Sequence, residues 1–134
     1  SFTVTDVLEN GFIEKVKADI ADIKGIAYCV GSIDLKPLRM ITEQDFNKCM
    51  KLNLYSAVDA IKGYQESLKK NKGSIVLFST VAAQRGFTNH SIIASAKAAA
   101  VSALAEPDII SLSPDTGSVS SFLAVGPVTS IEVP

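Results

Sequence analysis

Four side chains have the chemistry to hold or transform a polar ligand. They are the carboxamide of Asn53 in KLNLYSA, the hydroxyl of Thr80 closing GSIVLFST, the imidazole of His90, and the amine of Lys97 closing IIASAK. An amine one helical turn beyond a titratable group favours that group's anion, because residues four apart share a helix face. Position 93, four residues before Lys97, is isoleucine and has no proton to exchange. Ser91 and Ser95 flank it by two residues each, and a helix turns them away from the face of Lys97. His90 titrates in a useful range, but it falls near the helix start. Each residue also has a plainer use. Lys97 serves as a solvated helix lysine, Asn53 as a backbone hydrogen-bonder, Thr80 as a strand-end cap, His90 as a surface or capping residue, Ile93 as core, and Gly31 and Gly126 as tight turns.

The bulk numbers set limits on partners. The chain has 134 residues, 47% hydrophobic and 20% charged, with a net charge of −1. That suits one small domain with a buried core. There is no basic stripe, so nucleic acid is not an expected partner. No apolar run reaches ~18 residues, so no membrane span is expected. Cys29 and Cys49 lack CxxC spacing and have a single histidine for company, which indicates neither zinc nor a disulfide framework. They read as small hydrophobes in a reduced, cytoplasmic compartment. No signal peptide is visible at SFTVTD.

The elements that must position these residues alternate. Apolar residues recur at helical spacing over 6–22, weakened by Gly11. GIAYCV, 25–30, reads as a fully buried strand. A loop leads to Thr42, which caps a helix running to about residue 70, with Lys69, Lys70 and Lys72 at its dipole's negative end. GSIVLFS, 73–79, is the clearest buried strand. A loop over VAAQRGFTN leads to an alanine-rich helix over 90–105 that Pro107 ends. GSVSSFLAV, 117–125, is a third strand. Long crossovers between short apolar strands predict an α/β fold, a parallel sheet with helices on both faces. Ligands of such sheets sit beyond the strands' carboxyl ends, here Gly31, Ser79–Thr80 and Gly126.

Those strand ends resemble the short-chain dehydrogenases/reductases. Gly31 in YCVG matches the last residue of the family's Asn-Asn-Ala-Gly. Asn53 matches the family's helix asparagine, and Thr80 holds the catalytic serine's place. Ile93-x-x-x-Lys97 stands for Tyr-x-x-x-Lys, and VGPVTS carries Gly126, Val128 and Ser130 in the Pro-Gly-x-Val-x-Thr turn. The order and spacing of the motifs carry the resemblance, which no single one does. It implies the later part of a Rossmann-like domain, residues 1–134 forming one partial domain without the dinucleotide-binding βαβ unit.

It also implies NAD(P)(H)-dependent oxidation and reduction of a small alcohol or carbonyl. By resemblance Asn53, Thr80 and Lys97 are catalytic. Gly31, Lys97, Gly126, Val128 and Ser130 are then cofactor-binding, with NAD or NADP as cofactor and no metal. Two departures impair that chemistry. Ile93 replaces the proton-transferring tyrosine, and no glycine-rich turn precedes GIAYCV to receive a pyrophosphate. The alternative is a non-catalytic remnant that acts by association. A bare strand at 25–30 invites pairing and predicts a homo-oligomer, or obligate association with the missing segment, and Pro107 would alter the family's helical interface.

Overall fold

The computed structural model describes residues 3–104 and 119–124. Within these, α1 (Phe12–Asp19), β1 (Gly25–Tyr28), α2 (Glu43–Met50), α3 (Ser56–Gly63), α4 (Gln65–Lys70), β2 (Ser74–Thr80), α5 (Ala82–Arg85), α6 (Ser91–Leu104) and β3 (Val119–Ala124) follow in order. The three strands form one parallel sheet in the order β1-β2-β3. Gly25 pairs with Ser74 and Tyr28 with Leu77, while Ile75 pairs with Val119 and Thr80 with Ala124. The α/β class and the parallel pairing expected from the crossovers are therefore present.

The pleat sorts the side chains. Tyr28, Ile75 and Leu77 point into a core completed by Phe12 of α1, Ala57, Ala60 and Ile61 of α3, Tyr64, and Leu68 of α4. The other face of β1 carries Gly25 and Ala27, both exposed, followed by exposed Cys29. The sequence reading of 25–30 as a fully buried strand is thus corrected. The segment is an edge of the described sheet, as expected of a bare strand at 25–30, but one of its faces is open. Leu68 is wholly buried, and Gly73, entering β2, leaves it room: a Cβ there would meet the Leu68 side chain at 2.7 Å.

Local chemistry moved several boundaries. The helix expected over 6–22 is confined to Phe12–Asp19. Asp6 accepts from the Leu8 N–H in a turn, and Gly11 (φ 80°) holds a left-handed backbone just before the helix, which glycine tolerates best. Thr42 caps α2 as expected, in a reciprocal box with Asp45. The single helix expected from Thr42 to about residue 70 is interrupted twice. Lys51–Tyr55 is a π-helical segment, and Tyr64 separates α3 from α4. The loop expected over 81–89 contains the short α5.

Candidate functional site

The π segment is the feature that builds the site. In it the Ser56 N–H reaches back five residues to the Lys51 carbonyl. The Leu52 carbonyl receives two hydroxyls instead, that of Ser56 at 2.7 Å and that of Tyr28, from the end of β1, at 3.1 Å. Tyr28 and Ser56 are also within hydrogen-bonding reach of each other, so their two hydroxyl protons are shared among three contacts. Burial pushes the Tyr28 phenol above its usual range, so it remains a protonated donor. This clamp ties the backbone just before Asn53 to the sheet.

Asn53 is 1% exposed. Its Nδ2 donates to the Cys49 carbonyl at 3.0 Å and to Cys49 Sγ at 3.4 Å. Its Oδ1 accepts from no described group. Among the described residues only one other buried side-chain polar atom, Thr5 Oγ1, is in that position. Buried polar atoms are paired in the great majority of cases, so an orphan at a strand end marks a place for a ligand or water.

Gly31, three residues past β1, locates that place. A Cβ there would lie 2.8 Å from Asn53 Oδ1 and 3.1 Å from Lys97 Nζ. Gly31 thus leaves the two polar tips facing one point. Lys97 reaches it from α6, which lies against β2, the π segment and α2. Among the described residues the amine has neither an ion pair nor a hydrogen bond. Burial pushes its pKa below the usual lysine range, while the thiols of Cys49 and Cys29 act the other way. Burial raises the Cys49 thiol.

Ile93 is 4% exposed in an apolar cluster with Cys49, Ile92 and Ala96, against which Ile41, Phe46 and Met50 pack. Thr80 Oγ1 accepts from the Ala82 N–H at 3.3 Å, so its oxygen helps start α5. His90 Nδ1 bonds the Thr88 carbonyl at 2.7 Å, and exposed Ser95 donates to the Ser91 carbonyl, so both serve the helix start. The loop after β1 is tied to α2 and to the loop before α6. Lys36 pairs with Asp45 at 2.8 Å, and the Lys36 N–H reaches the Asn89 carbonyl at 3.0 Å.

Of the residues the sequence singled out, the structure brings together Gly31, Asn53 and Lys97. It puts Ile93 in the apolar cluster and engages Thr80 in a turn. Gly126, Val128, Ser130 and Pro107 lie outside the described residues. Sequence reasoning missed three contributors: Cys49, Tyr28 and Ser56. Cys49 was legible, since it lies four residues before Asn53. The Tyr28–Ser56 pair spans 28 residues and left no local signal.

A family model described as enoyl-(acyl carrier protein) reductase matches residues 5–106. The chain belongs to the short-chain dehydrogenase/reductase family. Solved structures of this family share its fold. A short chain dehydrogenase/reductase family protein superposes with a TM-score of 0.80 at 19% identity, over 90% of this chain and 51% of the other. A short-chain dehydrogenase from Streptomyces avermitilis gives 0.78 at 19%, over 89% and 45%. An alcohol dehydrogenase from the archaeon Thermococcus sibiricus, complexed with 5-hydroxy-NADP, gives 0.66 at 22%, over 74% and 44%. The chain spans about half the length of these proteins. No curated protein matches it. No helix among the described residues is long and apolar enough to cross a membrane. None of their His, Cys, Asp and Glu side chains cluster as a metal site.

Proposed function

We propose that this short-chain dehydrogenase/reductase retains the ribose-facing half of a nicotinamide site and lacks the proton transfer of the family's alcohol/carbonyl chemistry. The observation that carries this reading is the meeting of Lys97 Nζ and Asn53 Oδ1 at Gly31, with Ile93 buried one turn before the lysine. An unpartnered ammonium and an unpartnered carboxamide oxygen suit vicinal hydroxyls, which both donate and accept. The described residues fit that end of NAD or NADP. They do not fit the other end, because no glycine-rich turn among them offers N–H groups to a pyrophosphate.

When bound, the nicotinamide supplies the hydride. Lys97 would hold the ribose hydroxyls, and the Tyr28–Ser56 clamp would keep Asn53 in place beside it. Thr80 has one hydroxyl proton to offer a substrate oxygen. Ile93 fills the position of the proton donor with alkyl carbon, so a carbonyl arriving there meets no acid. The amine of Lys97 would therefore bind and orient without a phenol to assist.

Titration of the chain with NADPH and NADH, followed by nicotinamide fluorescence, tests this reading. Weak saturable binding with no turnover of simple aldehydes or alcohols is expected. Turnover at family-like rates would overturn the proposed impairment, and a flat titration would overturn the ribose site.

A second reading has its own observation. β1 is an edge of the described sheet, and exposed Gly25, Ala27 and Cys29 leave one of its faces open. Such an edge favours association, with another copy or with a complementing segment. Size-exclusion chromatography tests this, and a dilution-stable monomer would count against it.

A further inference from the structure

We propose that Asn10 is a site of spontaneous covalent modification: its carboxamide closes on the Gly11 nitrogen, loses ammonia and opens to aspartate or isoaspartate. The reaction lies at the head of α1 and uses none of the residues placed at the strand ends.

Sequence and structure agree on the place. Of the five asparagines, only Asn10 is followed by glycine. A following side chain would crowd the attacking nitrogen, and glycine has none. Asn10 is exposed in a turn. Its carboxamide bonds no described residue, and the Gly11 N–H donates to none. Both partners of the new bond are therefore free to turn towards each other. Gly11 holds a left-handed backbone (φ 80°), and beyond its chain neighbours the nearest atom to a Cβ there would be Glu14 Oε2 at 3.6 Å, so the approach is open. Asn10 also borders a solvent-open cleft of about 760 Å³, shared with Lys51 and Lys62 of the facing helical layer. Water and a base reach the carboxamide from it. The other asparagines are held differently. Asn47 lies inside α2, Asn53 is buried on the Cys49 carbonyl, and Asn71 donates to Asp22 and to the Ile23 carbonyl. Asn89 is exposed, but His90 follows it.

The step needs a base and water, and no oxidant or reductant. A base takes the Gly11 amide proton, and the nitrogen adds to Asn10 Cγ. The tetrahedral carbon expels its amino group as ammonia, which leaves a five-membered imide. Water then opens either carbonyl of the ring, so the chain exchanges ammonia for water. Opening at Cγ gives aspartate. Opening at the main-chain carbonyl carbon gives isoaspartate, with one extra main-chain carbon ahead of α1. Either product carries a carboxylate near the amino terminus of α1, which the helix dipole favours, and takes the net charge from −1 to −2.

Incubation of the folded chain in mildly alkaline buffer tests this, read by isoelectric focusing and peptide mass mapping. Asn10 is expected to convert about tenfold or more faster than Asn89, as for an intramolecular attack by an uncrowded, unbonded nitrogen. Its rate should also stay within several-fold of that in the urea-unfolded chain, because the turn leaves both groups free. Asn10→Gln should abolish the fast acidic species, since its ring would need one more atom. Conversion of Asn10 no faster than Asn89, strong protection of Asn10 by folding, or a fast acidic species that persists in Asn10→Gln would each overturn the proposal. The nicotinamide titration does not involve Asn10, so either reading can fail alone.

Discussion

Two groups of polar side chains on the same helical layer are treated in opposite ways. Around the amino-terminal side of the sheet Tyr64, Ser67 and Asn71 are all paired. Tyr64 donates to the Ile20 carbonyl at 2.6 Å. Ser67 bonds both Asp22 and the Ile23 carbonyl, and Asn71 bonds the same two groups. Tyr28 and Ser56, midway, are likewise satisfied. At the carboxyl ends, Asn53 Oδ1 and Lys97 Nζ have no described partner. A buried polar group without a partner costs stability that a paired one does not. Where a fold leaves two such groups without partners at one point, that point is the place to look for a ligand. The paired region holds the layer on the sheet, and the unpaired region is what it presents.

The largest test of that contrast concerns the paired side. Leu68→Ala leaves a cavity under the Ser67–Asn71 network and is expected to cost about 3 kcal/mol of unfolding free energy in a urea titration. A loss under about 1 kcal/mol would mean that the layer is not anchored there. Next comes Tyr28→Phe, which removes a donor from the clamp and should cost about 1–2 kcal/mol by the same measurement. Asn53→Leu is the counterpart on the unpaired side. It removes an orphan oxygen along with one donor, and its change should stay within about 1 kcal/mol. An Asn53 variant costing more than the Tyr28 variant would erase the distinction between the two regions.

The sharpest test is smaller and depends on pH. Burial lowers the Lys97 pKa below its ordinary 10.5. Between the folded and unfolded values the unfolded chain therefore binds more protons, and stability rises with pH across that window. The cost of the half-buried ammonium is fully present below the window and gone above it. Lys97→Met should thus raise the urea midpoint at pH 7, with a gain that fades as pH approaches 10.5, whereas Lys48→Met should do neither. The acid side has its own check. Asp45, bonded first by Lys36 and then by Thr42, titrates at about 2 instead of 3.8. Its contribution is present above 3.8 and is lost as pH falls towards 2. Asp45→Asn should flatten that limb of the acid titration.

The alternation of apolar runs, the Thr42 cap and the strand at 73–79 were legible because they depend on neighbours a few residues apart. The same holds for the spacing that set Lys97 four residues after position 93, and for the absence of a proton donor at Ile93. What lay beyond the sequence were events between distant segments. The π segment arises inside a stretch whose pattern reads as plain helix, and its Leu52 carbonyl is met by a tyrosine 24 residues earlier. The open face of β1 could not be read from an apolar run, because hydrophobicity does not say which neighbour covers a strand. Sequence order and residue type thus determined the fold class, the family and the candidate residues. Only the tertiary structure decided that Gly31, Asn53 and Lys97 share one point while Thr80 turns to its own backbone. The encounter of side chains separated by tens of residues depends on packing and on which hydrogen bonds are left unmade, and no local pattern encodes either.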